Sequence, residues 1–123
     1  MGYTTEFSGE FIITPALSTE TLGKLELFLD ERYDYDSFPS IHCDWEFSED
    51  GTRMFWNGCE KAYEMTQWAA YLQNHFFSEH DIEGKIYARG EAFDDVWTMI
   101  ADPKERSIYE EHGWVGNKKK GYE

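Results

Sequence analysis

A chain of 123 residues is long enough to close one hydrophobic core without disulfides or metal. Its 25 acidic side chains against 11 basic ones leave a formal net charge of -14, which repels phosphate backbones and anionic lipid and so argues against direct nucleic-acid binding and against a membrane surface. No N-terminal apolar run reads as a signal peptide, and no stretch approaches the roughly 20 apolar residues that span a bilayer. The expected location is therefore the cytoplasm, and a reducing compartment keeps Cys43 and Cys59 as thiols.

In chain order, the first element is a half-buried strand in "TEFSGEFIITP", where Phe7, Gly9, Phe11 and Ile13 alternate with Glu6, Ser8 and Glu10. Pro15 ends it. Ser18 then has the character of a helix N-cap, with Glu20 in the first turn and Leu17 and Leu22 at the two ends of a hydrophobic staple. Leu22, Leu25 and Leu29 give this helix an apolar stripe with Phe28 beside it, and the helix should fade near Arg32, where "YDYDSFPS" becomes a loop.

Two alternating runs in "HCDWEFSEDGTRMFWNG" flank Asp50-Gly51, a dipeptide that favours a tight hairpin. Cys43, Trp45 and Phe47 should face one side, His42, Asp44 and Glu46 the other. After Gly58 the period becomes helical, with Ala62, Met65, Ala69, Leu72 and Phe76 as the core stripe. "GKIYARGEAFDDVWTMI" predicts another hairpin, turning over 92–95. The order βαββαββ predicts an α+β sandwich, two helices on one face of an antiparallel sheet, in the manner of a ferredoxin-like fold with an added strand. Residues 1–103 should form this single domain. Residues 104–123 read as a partly flexible appendage in which "KERSIYEEHGW" has the makings of a short helix.

Beside the core stripe of the second helix lies a strip of Glu60, Glu64, Trp68, Tyr71 and His75, rings mixed with acids. As an enzyme site it would pair His75 with Glu64, but these stand eleven residues apart, roughly 16 Å along a helix axis, too far to share a proton. The strip is then either the helix border against its neighbours or a partner-docking face, with Glu91, Asp94 and Asp95 of the second hairpin as further partner-binding acids. A second candidate surface is the sheet face away from the helices, expected to carry Glu6, Ser8, Glu10, His42, Asp44, Glu46, Arg53, Phe55, Asn57, Tyr87, Arg89, Glu91, Trp97 and Met99. There His42, Asp44, Glu46, Arg53 and Arg89 form the polar set of a small-ligand or enzyme site. His42 and Asp44 share a strand face, yet no third ligand is fixed, so no metal is expected. No nucleophile elbow, HExxH, phosphate loop or GxGxxG occurs, and neither a catalytic residue nor a cofactor is expected.

The segments "GYTTEFSGEFIITPAL", "WNGCEKAYEMTQWAAYL" and "GEAFDDVWTMI" together resemble a loosely defined family of small acidic bacterial and phage-borne proteins. That family opens on a Tyr-Thr-Thr-Glu-Phe run, carries a Trp-x-Gly-x-Glu-Lys-x-Tyr segment before a Trp-bearing helix, and closes with Gly-Glu and Asp-Asp turns. The resemblance spans residues 2–100. Relatives often have Gly-Gly where this chain has Gly58-Cys59, which speaks against Cys59 as a required nucleophile. The resemblance implies the fold and a phage connection but no activity. Joined with the charge, it gives the leading expectation: a non-enzymatic, phage-type inhibitor acting in host cytoplasm, whose acidic clusters at residues 26–36, 44–50 and 91–95 imitate phosphates and occupy a basic, nucleic-acid-binding surface of a host protein. The competing expectation is a small enzyme or nucleotide-ligand binder on the open sheet face.

Overall fold

The computed structural model describes residues 3–112 and the backbone of 117–119. The elements run β1 (Thr5–Thr14), α1 (Thr19–Leu29), β2 (Trp45–Phe47), β3 (Arg53–Trp56), α2 (Met65–Phe76), β4 (Asp81–Gly90), β5 (Val96–Asp102), β6 (Ser107–His112) and β7 (Asn117–Lys119). The strands make one sheet in the order β2-β3-β1-β4-β5-β6-β7, and every neighbouring pair is antiparallel. The protein is thus α+β, but its element order is βαββαββββ, two strands longer than the sequence pattern predicts. Among the described residues no helix is long and apolar enough to cross a membrane.

The core lies between the helices and one sheet face. Directly paired residues share a face, so the register Phe7↔Ala88↔Trp97 and Gly9↔Ile86↔Met99 lays these side chains in rows under the helices. Leu25 of α1 and Trp68, Ala69 and Leu72 of α2 close the same cluster from above. Trp97 and Met99, expected on the open face, therefore point inward: Met99 is fully buried, and Trp97 meets Phe7 edge-on and stacks on His112. The parity of β5 is set by its pairing with β4, which the alternation of a short apolar run cannot fix.

Local chemistry explains the ends of the elements. Ser18 caps α1 as expected, accepting a hydrogen bond from the Thr21 N–H at 3.1 Å. The β2–β3 turn closes through Gly51 N–H to the Ser48 carbonyl, and Gly51 adopts φ +76 where its absent Cβ would meet the Leu17 carbonyl at 2.5 Å. The second helix starts later than its periodicity suggests, at Met65. Cys59 N–H donates to Asn57 Oδ1 and the Trp56 indole donates to the Cys59 carbonyl, so side-chain bonds hold this stretch as a loop in competition with helix. Gly58 takes φ +91 there.

The expected short helix after Pro103 is instead strand. β6 pairs with β5 over Trp97↔His112 through Asp102↔Ser107 and buries Ile108 in the core. It also supplies a carboxylate to the start of α2, because Glu110 accepts a hydrogen bond from the Thr66 hydroxyl. Glu64, the N-cap residue, makes no side-chain cap, so an acid from a distant strand meets the positive helix end. The remaining residues of the expected flexible tail, 113–116 and 120–123, lie outside the described residues.

Trp68 is the pivot of the helical layer. It is 0% exposed, and its indole donates to Ser40 Oγ at 2.8 Å. Trp68→Phe keeps most of the buried ring but leaves Ser40 without this donor. It should lower unfolding stability by about 1–3 kcal/mol, read as a shift of the urea midpoint at constant slope, and an unchanged midpoint would contradict this account.

Candidate functional site

The loop 30–44 crosses from α1 to the sheet edge and packs on α2 through rings. Phe38 stacks on Trp68 at 6.1 Å, Tyr33 on Phe28 at 4.7 Å, and Phe28 on Tyr71 at 5.6 Å. The ring-and-acid strip is therefore divided. Trp68 is core and cannot dock a partner, Tyr71 is half-buried against Phe28, and His75 is exposed, with Nδ1 against the Tyr71 carbonyl at 2.9 Å. Glu60 precedes the helix instead of lying on it, so it is not part of the strip on the helix surface.

Where loop 35–44 faces loop 59–64, a cleft of about 680 Å³ opens, within the range of ligand-sized pockets. Tyr35, Pro39, Ile41 and Tyr63 supply its apolar walls, and Asp44, Glu64, His42, Cys59 and Lys61 its polar groups. Asp44 is 7% exposed, accepts a hydrogen bond from Asn57 Nδ2 at 3.3 Å, and gives its carbonyl to the Asn57 N–H at 3.1 Å. Burial pushes the Asp44 carboxyl up from the ordinary range, against smaller opposing effects of the Asn57 bond, the His42 charge and the Cys59 thiol. The rear of the cleft is rigid: Ser40, held by Trp68, donates to the His42 carbonyl at 3.0 Å. Glu64 at the rim sits in left-handed backbone, φ 56.

This arrangement corrects the polar set expected on the sheet. His42 and Asp44 precede β2 and belong to the cleft, while Glu46 is exposed on the edge strand. Arg53 lies across from Ile12 and Arg89 across from Glu6. Six residues along a strand is about 20 Å, so the two guanidinium groups do not converge on one phosphate. Arg53 is instead paired with Glu10. The open face does hold Glu6, Ser8, Tyr87 and Arg89, around a shallow recess of about 470 Å³.

The acids of the β4–β5 hairpin are partly structural. Asp95 accepts from the Tyr3 hydroxyl at 2.7 Å and Glu91 from the Thr4 N–H at 2.8 Å, tying the start of the chain to the turn. Asp94 stays exposed beside Phe93, which is 90% exposed at the hairpin tip. Sequence reasoning missed Tyr35, Tyr63 and Phe93 as exposed rings and Cys59 as a cleft residue. Only the Asn57-Gly58 pair, a loop signal ahead of Cys59, pointed that way.

The Cys59 thiol opens on the same cleft as Asp44, His42 and Lys61. Among the described residues no three His, Cys, Asp or Glu side chains converge to hold a metal ion. Set against models of protein families, curated proteins and solved structures, the chain matches none.

Three outcomes check this geometry. Cys59 is exposed, whereas Cys43 is 3% exposed and burial pushes its thiol up to about 12, so a thiol reagent should label one cysteine of the native protein rapidly and the second only in denaturant. For Asp44 the folded state raises the carboxyl above its unfolded value. Folding therefore favours the protonated form, and stability falls as pH rises through the folded pKa. Asp44→Asn should raise the melting temperature at pH 7 relative to wild type, with the gain shrinking as the carboxyl protonates in acid. Asp50 has the opposite sign, since the Thr52 and Ser48 hydroxyls hold its carboxyl below the usual range, so Asp50→Asn should lower stability at pH 7 and matter less in acid.

Proposed function

We propose that this protein is a non-enzymatic interaction protein whose acidic surface occupies a basic surface of a partner, in its most specific form a phage-type inhibitor of a host nucleic-acid-binding protein. The observation that carries the reading is uncompensated charge. The full chain has 25 acidic side chains, yet among the described residues the ion pairs are Arg53–Glu10, Arg106–Asp81 and His112–Glu110. The acids of the first cluster, Glu26, Asp30, Glu31, Asp34 and Asp36, are all exposed, as are Glu46, Glu49 and Asp50. Asp44, buried in the cleft, leaves the second cluster. A field of this kind steers a basic partner and is screened by salt.

Within this reading the first six elements, with strands in the order β4-β1-β3-β2, are a ferredoxin-like split βαβ unit, and β5, β6 and β7 extend its β4 edge. The cleft favours a second reading, a binder of small ligands or a small enzyme, because a buried carboxylate in an apolar-walled pocket is a common binding-site arrangement. A nucleotide panel that raises the melting temperature of the wild type but not of His42→Ala would support it.

For the leading reading, affinity capture from a bacterial lysate at low and at moderate salt should retain a nucleic-acid-handling protein only at low salt. The purified protein should displace nucleic acid from that partner. Neutralising Glu26, Asp30, Glu31 and Asp34 together should weaken this displacement by about tenfold or more, and neutralising the same number of scattered acids should not. Displacement indifferent to both salt and cluster neutralisation would overturn the mimicry.

A further inference from the structure

We propose that the cleft between loops 35–44 and 59–64 receives an arginine side chain of the partner, which enters alongside Tyr35 and Tyr63 and faces the Asp44 carboxylate. The inference rests on the reading of the protein as an acidic body that meets a basic surface, and it names one anchor point for that meeting. Three features select this occupant. The first is charge: the cleft is lined by the carboxylates of Asp44 and Glu64, the ammonium of Lys61 and the imidazole of His42, so carboxylates outnumber fixed cations two to one and a cation is favoured. The second is desolvation. Asp44 is 7% exposed and accepts a hydrogen bond from the uncharged Asn57 amide at 3.3 Å, with the His42 charge beside it, so an arriving guanidinium adds charged donors to a carboxylate that a neutral amide holds.

The third feature is the shape and chemistry of the walls. Tyr35 is 70% exposed and Tyr63 42% exposed, and both line the cleft. A guanidinium is flat and weakly hydrated, stacks on tyrosine faces and meets a carboxylate with paired N–H donors, whereas a lysine ammonium is compact and strongly hydrated. At about 680 Å³ the cleft is larger than one side chain needs, which suits an arginine presented on a protein loop with its neighbours. The Trp68–Ser40–His42 linkage holds the rear of the site in place before binding, so little ordering is required.

The test uses the full chain and two probes. Anisotropy of labelled octa-arginine at low salt reads the broad acidic-surface interaction, and amide chemical shifts during titration with arginine methyl ester locate the site. The expected result is octa-arginine binding together with ester-induced shifts concentrated at Cys59, Tyr63 and Glu64. Ester affinity should fall about fivefold in Asp44→Asn, fall about threefold in Tyr35→Ala and stay unchanged in Glu111→Gln on the open face. Lysine methyl ester should bind more weakly. Tyr35 is exposed enough for its removal to leave the fold intact, which keeps the result readable if Asp44→Asn perturbs folding. Octa-arginine binding with ester shifts scattered over the surface, or with ester affinities in Asp44→Asn and Tyr35→Ala equal to that of the wild type, would overturn the cleft as the anchor and leave the acidic-surface reading standing. Cleft shifts induced by adenosine monophosphate and not by the ester would also overturn it, assigning the site to an anionic ligand. Absence of octa-arginine binding at low salt would remove the acidic-surface reading itself.

Discussion

Trp68 and Ser40 join parts of the chain that no local pairing would bring together. The indole N–H, buried with its ring, finds a single hydroxyl on a loop twenty-eight residues upstream, and the rings of Phe28, Tyr33 and Phe38 gather around the same tryptophan. Buried donors of this kind are costly to leave unpaired, so α2 and loop 30–44 are fixed together. That bond also places His42 and Asp44, because the Ser40 hydroxyl in turn donates a hydrogen bond to the His42 carbonyl. The cleft exists where it does because the core beneath it is held this way.

The same layering separates the two chemistries of the chain. Large rings occupy the space between helices and sheet: Trp45 lies along Phe11 and gives its N–H to the Met65 carbonyl at 2.9 Å, while Trp56 and Trp97 flank Phe7. Among the described acids Asp44 alone is buried, and a few such as Glu110 are half-buried at the edge of the core. Glu110 reaches the start of α2, and Asp44 is held by Asn57. The negative surface and the aromatic core are thus two results of one partition, and the cleft is a point where a carboxylate has been drawn partly across it.

The first helix, the Asp50-Gly51 hairpin and the alternation of β1 were legible because their signals are local: a cap, a turn dipeptide and a period of two. Legibility failed where a tertiary partner overrode a local pattern. Helical spacing from Ala62 to Phe76 persists in the sequence, yet side-chain bonds at Asn57 and Trp56 keep 59–64 as loop, and Ala62 is buried without being helical. The tail "KERSIYEEHGW" carries no strong period of its own. It becomes a strand because β5 offers a free edge and the core accepts Ile108. The candidate site was legible only in fragments, His42 with Asp44 in one group and Glu64 in another, because proximity across separate loops leaves no spacing to read.

The sequence by itself determined the charge, the ring-rich core, the α+β class and the places where turns and caps must fall, since each follows from residue type and short-range geometry. The tertiary structure alone decided the parity of β5, the recruitment of residues 107–112 and 117–119 into the sheet, the burial of Trp68 and the meeting of loops 35–44 and 59–64. These depend on which strand lies beside which and on where a buried donor finds its acceptor. Such relations join residues far apart in the chain, and only the closed core sets them.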